Sequence, residues 1–246
     1  AIGARFSDRV ISKAENFAPK AKIIHMDADA TEIGKNVRVD IPLLGNLKET
    51  VKRLTENVQK RHNAEWKNQL NAWKKPEETN KDIFYSKNIL DCLCDKFGQE
   101  AFVVTDVGQH QMWTAQHWKC NFPRALITSG GLGTMGFGLG AAIGTKVGNM
   151  DKPVVLITGD GSYRMNCNEL ATVAGHNIPI VIVLFNNSTL GMVRQWQKMF
   201  SGRRYSETDV ENCVDYVKLA AAYGIEGHRA ASMKELREII NNCKFG

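Results

Sequence analysis

The sequence predicts an α/β protein built on a doubly wound parallel sheet, preceded by the end of a second α/β domain, and three observations carry that reading. Two apolar, β-branched runs, residues 153–158 and 180–185, are bounded by Pro, Gly and Asn and read as buried strands of a parallel sheet. Between them Met165, Leu170 and Val173 recur at roughly helical spacing until Gly175 and Pro179 stop the helix, so the segment reads as one βαβ unit. Gly159-Asp160-Gly161-Ser162 follows the first strand and Asn186-Asn187 the second.

Parallel neighbours place their carboxyl ends side by side. Asp160 and Asn187, 27 positions apart, therefore converge on the edge where open α/β sheets bind ligands. A carboxylate, an amide oxygen and a backbone carbonyl are hard oxygen ligands, suited to an octahedral Mg²⁺ that completes its shell with phosphate oxygens and water. Gly159 and Gly161 let a bulky anion approach the backbone, and the helix that follows turns its amide end toward it. The residues read as a Mg²⁺-diphosphate site. The bland alternative is that Asp160 caps the helix and the Asn pair makes a turn, which uses the same residue types. It stays open for Gly-Asp-Gly taken alone; the strand before, the helix after and the Asn pair closing the next strand weigh against it.

From the N-terminus, residues 21–26 read as a strand ending in Asp27-Ala28-Asp29, and residues 37–41 as a second. A strand-end acid can hydrogen-bond a ribose hydroxyl or simply form a turn. Leu47, Val51, Leu54, Val58, Trp66, Leu70 and Trp73 then recur at three or four, with one gap, giving an amphipathic helix or helix pair. Residues 76–81 are a polar linker, so the chain divides into 1–45, a helical connection 46–82, and a domain 83–246. Ser86 opens a helix with Ile89, Leu90, Leu93 and Phe97 apolar and Gly98 as its stop.

Residues 102–106 read as the first strand of that last domain, with Gly108-Gln109-His110 past its end, where donors can meet an anion. A lone His110 is more often an ordinary half-buried histidine, and His25, His117, His176 and His228 read as structural. Residues 131–136 formally match the GxGxxG of dinucleotide folds. That fingerprint requires an acid at the next strand's end, and here this acid is Asp160, better explained by a metal. Residues 201–206 read as a mobile loop. Val214, Val217, Leu219 and Ala222 give a helix ending at Gly224, and Met233, Leu236, Ile239 and Ile240 give another.

The 246 residues, 43% apolar and 24% charged, suffice for one large core or one and a half ordinary domains. The net charge of +6 sits in the first third: residues 1–81 carry 16 Lys/Arg against 11 Asp/Glu, and residues 82–246 carry 16 against 15. This is a solvated face and no nucleic-acid footprint, since basic runs with interleaved aromatics are absent. Six cysteines, at 92, 94, 120, 167, 213 and 243, offer one Cys-x-Cys pair and no zinc spacing, and read as the free thiols of a cytoplasmic protein. The longest apolar run, residues 178–185, contains a proline and falls far short of the ~20 residues of a membrane helix. Nothing resembles a signal peptide.

Gly-Asp-Gly followed some 25 residues later by Asn-Asn resembles the signature of the thiamine-diphosphate enzymes. The flanking text is more specific. Gly-Asp-Gly-Ser-Tyr-Arg-Met-Asn (159–166), Asn-Ser-Thr-Leu-Gly-Met-Val-Arg-Gln-Trp-Gln (187–197), Val-Gly-Gln-His-Gln-Met-Trp (107–113) and Thr-Ser-Gly-Gly-Leu-Gly-Thr-Met-Gly (128–136) resemble the large catalytic subunits of the biosynthetic acetohydroxyacid (acetolactate) synthases.

The resemblance implies the thiamine-diphosphate-binding fold for residues 83–246. Residues 1–45 become the C-terminal remnant of a central FAD-binding domain, with Asp8, Arg9, Asp27 and Asp29 at the FAD and Ser7 where the family often has Asp. It implies that Val107, Gly108, Gln109 and His110 contact the diphosphate, that the Gly133 backbone meets the aminopyrimidine, and that Met135 is the wedge holding the cofactor's two rings in a V. Gly159, Asp160, Gly161, Ser162, Asn187, Thr189, Gly191 and Met192 complete the cofactor site; Asp160, Asn187 and the Thr189 carbonyl bind the metal.

Met192 and Trp196, four apart on one helix face, become the substrate pocket, with the Trp favouring 2-oxobutanoate as second substrate. Core packing remains the alternative for Met135 and for this pair. Gly140 stands where the family usually has Pro.

The implied function is condensation of pyruvate with pyruvate or 2-oxobutanoate, with loss of CO₂, in branched-chain amino acid biosynthesis. The implied assembly is a homodimer or tetramer with a small regulatory subunit as a further partner. The family's activating Glu belongs to an N-terminal domain, and the sequence reads as a piece cut at both ends, so the chain by itself is expected to be inactive. Two other readings differ in kind: another thiamine-diphosphate 2-oxoacid decarboxylase or oxidase, against which Trp196 and residues 3–9 argue, and a non-catalytic cofactor-binding module.

Overall fold

Every pairing between the named strands is parallel. The computed structural model describes residues 1–74, 80–98, 100–210 and 213–242. Most of the linker expected at 76–81 lies outside the described residues. The chain divides into two compact units, Ala1–Pro76 and Glu77–Gly246.

In the first unit α1 (Asp8–Ile11) precedes β1 (Ile24–Asp27) and β2 (Ile41–Leu44), followed by α2 (Leu47–Asn57) and α3 (Ala64–Trp73). The second strand begins four residues later than the sequence predicts. The Asp40 carboxylate accepts the Ile23 N–H at 2.8 Å and the N–H groups of Asp40 and Ile41 both reach the Ile23 carbonyl, so pairing starts only at Ile24↔Ile41. The expected helix pair is present. Asn46 caps α2 by accepting from Lys48 N and Glu49 N at 3.0 and 3.2 Å. Phe6, His25, Met26 and Val37 are buried in this unit, with Phe6 edge-on to His25 at 5.0 Å.

The second unit runs α4 (Ser86–Phe97), β3 (Phe102–Thr105), α5 (Gln109–His117), β4 (Leu126–Thr128), α6 (Phe137–Gly148), β5 (Val154–Gly159), α7 (Asp160–Tyr163), α8 (Leu170–Gly175), β6 (Val181–Phe185), α9 (Gly191–Phe200), α10 (Tyr216–Ala222) and α11 (Met233–Asn242). Its strand order is β4-β3-β5-β6. Leaving β3, the chain steps to one side for β4 and then crosses to the other for β5, so the order reverses between β3 and β5.

Side chains alternate along β3, β5 and β6 with the strand period of two. Val103, Val155 and Ile157 pack with α4 and α11 on one face. Val104, Val154 and Leu156 pack with Leu139 of α6 and with Leu170 and Val173 of α8 on the other. The sheet is doubly wound, as the sequence predicts. All six residues of β5 are buried.

Two expectations need correction. The strand at 180–185 is β6, which lies at the edge of the sheet and is half-buried along its length. The helix expected between β5 and β6 is broken into α7, a 3-10 turn at Cys167–Glu169, and α8. The break comes where Met165 N and Asn166 N bond three residues back and the Asn166 amide donates to the Gly136 carbonyl at 3.0 Å, leaving Met165 exposed. Among the described residues no helix is long and apolar enough to cross a membrane.

Leu156, on the central strand, is 0% exposed. Leu156→Ala is expected to cost about 2–5 kcal/mol, measured as a lowered urea midpoint at unchanged slope.

Candidate functional site

Where strand order reverses, the two adjacent carboxyl ends diverge and leave a crevice. A cleft of about 200 Å³ lies there. Its walls are Val107, Gly108, Gln109 and His110 after β3; Gly133 and Met135 before α6; Gly159, Asp160, Gly161 and Ser162 at the end of β5; and Asn187, Thr189, Gly191 and Met192 after β6. Segments separated by up to 85 positions in the chain thus meet at one cleft. Trp113, Phe185, Leu190 and Val193 complete the lining and were not singled out by sequence.

Three glycines make room for two side chains that fold back onto the strand ends. A Cβ on Gly108 would sit 2.8 Å from His110 Cε1, one on Gly159 would sit 2.8 Å from His110 Nδ1, and one on Gly191 would collide with Gln109 Oε1. Gln109 Nε2 donates to Gln195 Oε1 at 3.0 Å, tying the β3 loop to α9. Ser162 Oγ donates to the Val107 carbonyl at 2.6 Å, tying the ends of β5 and β3 together.

His110 is 5% exposed, and its Nε2 has no hydrogen-bond partner. Burial drives its pKa down to about 4, so at neutral pH it is an uncharged imidazole beside an open cleft. A buried polar atom without a partner calls for an explanation, and a ligand in the cleft is the direct one.

Asp160 is buried, and desolvation raises its pKa. Its Oδ1 accepts from Gly161 N at 3.0 Å and its Oδ2 from Ser188 N at 2.7 Å, a contact that ties the end of β5 to the segment after β6. Asn187 Oδ1 accepts from Thr189 N at 3.1 Å. The turn-forming reading of these side chains thus describes bonds that exist here, while each oxygen keeps a further lone pair.

The segment is clasped from outside. Leu190 N reaches Thr208 O at 2.7 Å, Val210 N reaches Ser188 O at 2.9 Å, and Arg194 lies between Asp209, at 3.3 Å, and the ring of Tyr205, at 4.0 Å. Gln197 bonds both the N–H and the carbonyl of Ser206, so the stretch read as a mobile loop is pinned to α9.

Carboxylate, amide and carbonyl oxygens, backbone N–H groups, an uncharged imidazole and the apolar Met135 side chain, all lining one cleft, fit a metal-bound diphosphate joined to a ring system. Among the described residues no three His, Cys, Asp or Glu side chains group together as metal ligands, so a metal here would lean on amide and backbone oxygens as well as Asp160.

Trp196 does not line the cleft: it is half exposed, one helical turn beyond Met192, with Phe200 edge-on at 5.5 Å. Asp8, Asp27 and Asp29 belong to the first unit, and the side chain of Arg9 lies outside the described residues. Asp27 Oδ1 accepts from Asp29 N at 2.9 Å, and Asp29 accepts from the hydroxyl and N–H of Thr31, bonds that lower its pKa.

The uncharged state of His110 has a measurable consequence. Its pKa is depressed on folding, so between about pH 6.5 and pH 4 the unfolded chain binds the extra proton and stability falls as pH falls. The loss is about 3 kcal/mol between pH 7 and pH 4 from this group. Urea unfolding across that range is expected to show the slope in the wild-type chain and a flatter one in His110→Gln.

Residues 106–244 match the family described as "Thiamine pyrophosphate enzyme, C-terminal TPP binding domain", and residues 1–54 match "Thiamine pyrophosphate enzyme, central domain". The chain is 42% identical to the "Probable acetolactate synthase large subunit" of Methanococcus aeolicus, over 98% of this chain and 44% of that one. It is 44% identical to the acetolactate synthase isozyme 2 large subunit of Escherichia coli K12, again over 98% and 44%. It is 43% identical to the acetolactate synthase large subunit of Parasynechococcus marenigrum, over 92% and 38%. The chain spans less than half the length of these curated relatives.

Proposed function

The chain belongs to the thiamine pyrophosphate enzymes, and we propose that it serves as the cofactor-binding part of an acetolactate synthase large subunit. The observation that carries this reading is the convergence of four chain segments on the cleft between β3 and β5, each with the chemistry its part of the cofactor needs.

In this reading Asp160, Asn187 and the Thr189 carbonyl hold Mg²⁺. The Val107–His110 and Gly159–Ser162 segments receive the diphosphate, with backbone N–H groups as donors and glycines giving close approach. His110 offers an uncharged N–H that adds no charge to the cleft. The Gly133 backbone and Met135 orient the ring system, and Gly191 lets Gln109 lie against the start of α9. Met192, on the cleft wall, and Trp196, one turn beyond, shape the entry for the second 2-oxoacid.

When bound, thiamine diphosphate supplies the electron sink for decarboxylation of a 2-oxoacid, and the protein supplies orientation and exclusion of water. The substrates are pyruvate and 2-oxobutanoate, and the product is an acetohydroxyacid for branched-chain amino acid synthesis. Residues 1–45 belong to a central domain that holds FAD through Asp8, Arg9, Asp27 and Asp29. Residues 46–82 connect it to the cofactor domain at 83–246. The working enzyme is a homodimer or tetramer with a small regulatory subunit, in the cytoplasm, where free thiols such as Cys92 and Cys94 persist.

Titration calorimetry of thiamine diphosphate into the chain, with and without Mg²⁺, tests this. Binding is expected to require the metal and to weaken at least about tenfold in Asp160→Ala, because loss of one charged ligand removes more than about 1.4 kcal/mol. Metal-independent binding, or binding indifferent to Asp160, contradicts the assignment.

A further inference from the structure

Asp106, the residue just past β3, is 2% exposed. Its Oδ1 accepts from Val107 N at 2.8 Å and from Gly136 N at 2.9 Å, and its Oδ2 from Gly138 N at 3.2 Å. A buried carboxylate is costly unless such donors surround it, and an amide could offer only one acceptor oxygen in its place. Two of the donors lie 30 and 32 positions away, at the end of the loop that carries Met135 into the cleft and in the first turn of α6.

That loop is gripped from its other side as well. Asn166 Nδ2 donates to the Gly136 carbonyl at 3.0 Å, so both peptide groups flanking Gly136 are held, one by each side chain. Only glycine fits between the grips. Gly136 has φ +86°, and a Cβ there would lie 3.1 Å from Met165 Cβ; a Cβ on Gly138 would lie 2.9 Å from the Asp106 carboxylate. Upstream, Gly133 N and Thr134 N bond Ser129 O and Oγ at 3.0 and 3.1 Å. Neighbouring Thr128 Oγ1 accepts from Thr105 and Gln111.

We propose that Asp106 is the positioning residue that fixes Met135 in the cleft, with Asn166 as the opposing grip on the next peptide group. The proposal rests on the cofactor reading for what Met135 is held against, while the grip itself stands on the geometry. Asp106→Asn keeps the size of the side chain but turns an N–H group toward backbone N–H groups. The loop then shifts, moving the wedge that meets the ring system more than the diphosphate end, where the amide oxygen still accepts from Val107 N.

Two measurements on the whole chain test it. Amide hydrogen exchange at Gly136 and Gly138 is expected to quicken at least about tenfold in Asp106→Asn, and at Gly136 and Phe137 in Asn166→Asp, with β5 amides unchanged. Unaltered exchange at Gly136 and Gly138 overturns the grip, whatever the chain binds. Calorimetry with Mg²⁺ then compares thiamine diphosphate with inorganic diphosphate. Asp106→Asn is expected to weaken the first at least about tenfold and the second less than about twofold. Equal losses for both probes mean that Asp106 only supports the fold, which sinks the positioning role. A wild-type chain that binds neither probe overturns the cofactor reading and the wedge with it, and the exchange data then decide the grip alone.

Discussion

The parallel pairing of β3 with β5 is the constraint on which the rest depends. Phe102↔Val154 through Thr105↔Ile157 align the two strands so that Asp106 comes opposite Thr158, one residue before Gly159. The connections beyond them run to opposite sides, which opens a gap between the adjacent strand ends. Because β5 is buried along all six residues, with a core on each face, its end is fixed as firmly as the sheet itself. A site placed there inherits that rigidity without a rigid element of its own.

The cleft assembled on this frame handles charge in an economical way. Its two buried carboxylates, Asp106 and Asp160, are both shifted upward by desolvation and met by backbone N–H groups. They divide the labour by direction. Asp106 faces the loop before α6 and bonds only protein, whereas Asp160 lines the open cleft and keeps lone pairs for a ligand. His110, uncharged, completes a wall where a fixed positive charge would compete with a metal.

Much of this was legible in the sequence, and for identifiable reasons. The strands β5 and β6 announce themselves because β-branched runs bounded by Pro, Gly and Asn have few other uses, and Gly-Asp-Gly and Asn-Asn fall at their ends by chain order alone. The three-residue β4 is too short for any periodicity to show, and α6, with Gly138, Gly140, Gly144 and Gly148, lacks the polar face that marks an amphipathic helix. The helix expected after Gly161 failed because Asn166 found a tertiary partner in Gly136, which no local pattern encodes. Asp106 gave the same strand-end signal as Asp160, but its partners lie 30 residues on. Trp196 keeps the predicted helical spacing from Met192, yet spacing fixes a face and not a depth, and one turn carries it past the cleft rim.

Ser188 joins two regions that a contact map would treat as separate. Its N–H is held by Asp160 at the cleft, its carbonyl accepts from Val210 on the surface segment, and its φ of +54° lies in the left-handed region that few serines adopt. A backbone shift at Ser188 would therefore move the Asp160 end of the cleft and the Thr208–Val210 clasp together. The surface segment at Thr208–Val210 and the buried end of β5 thus meet at a single residue.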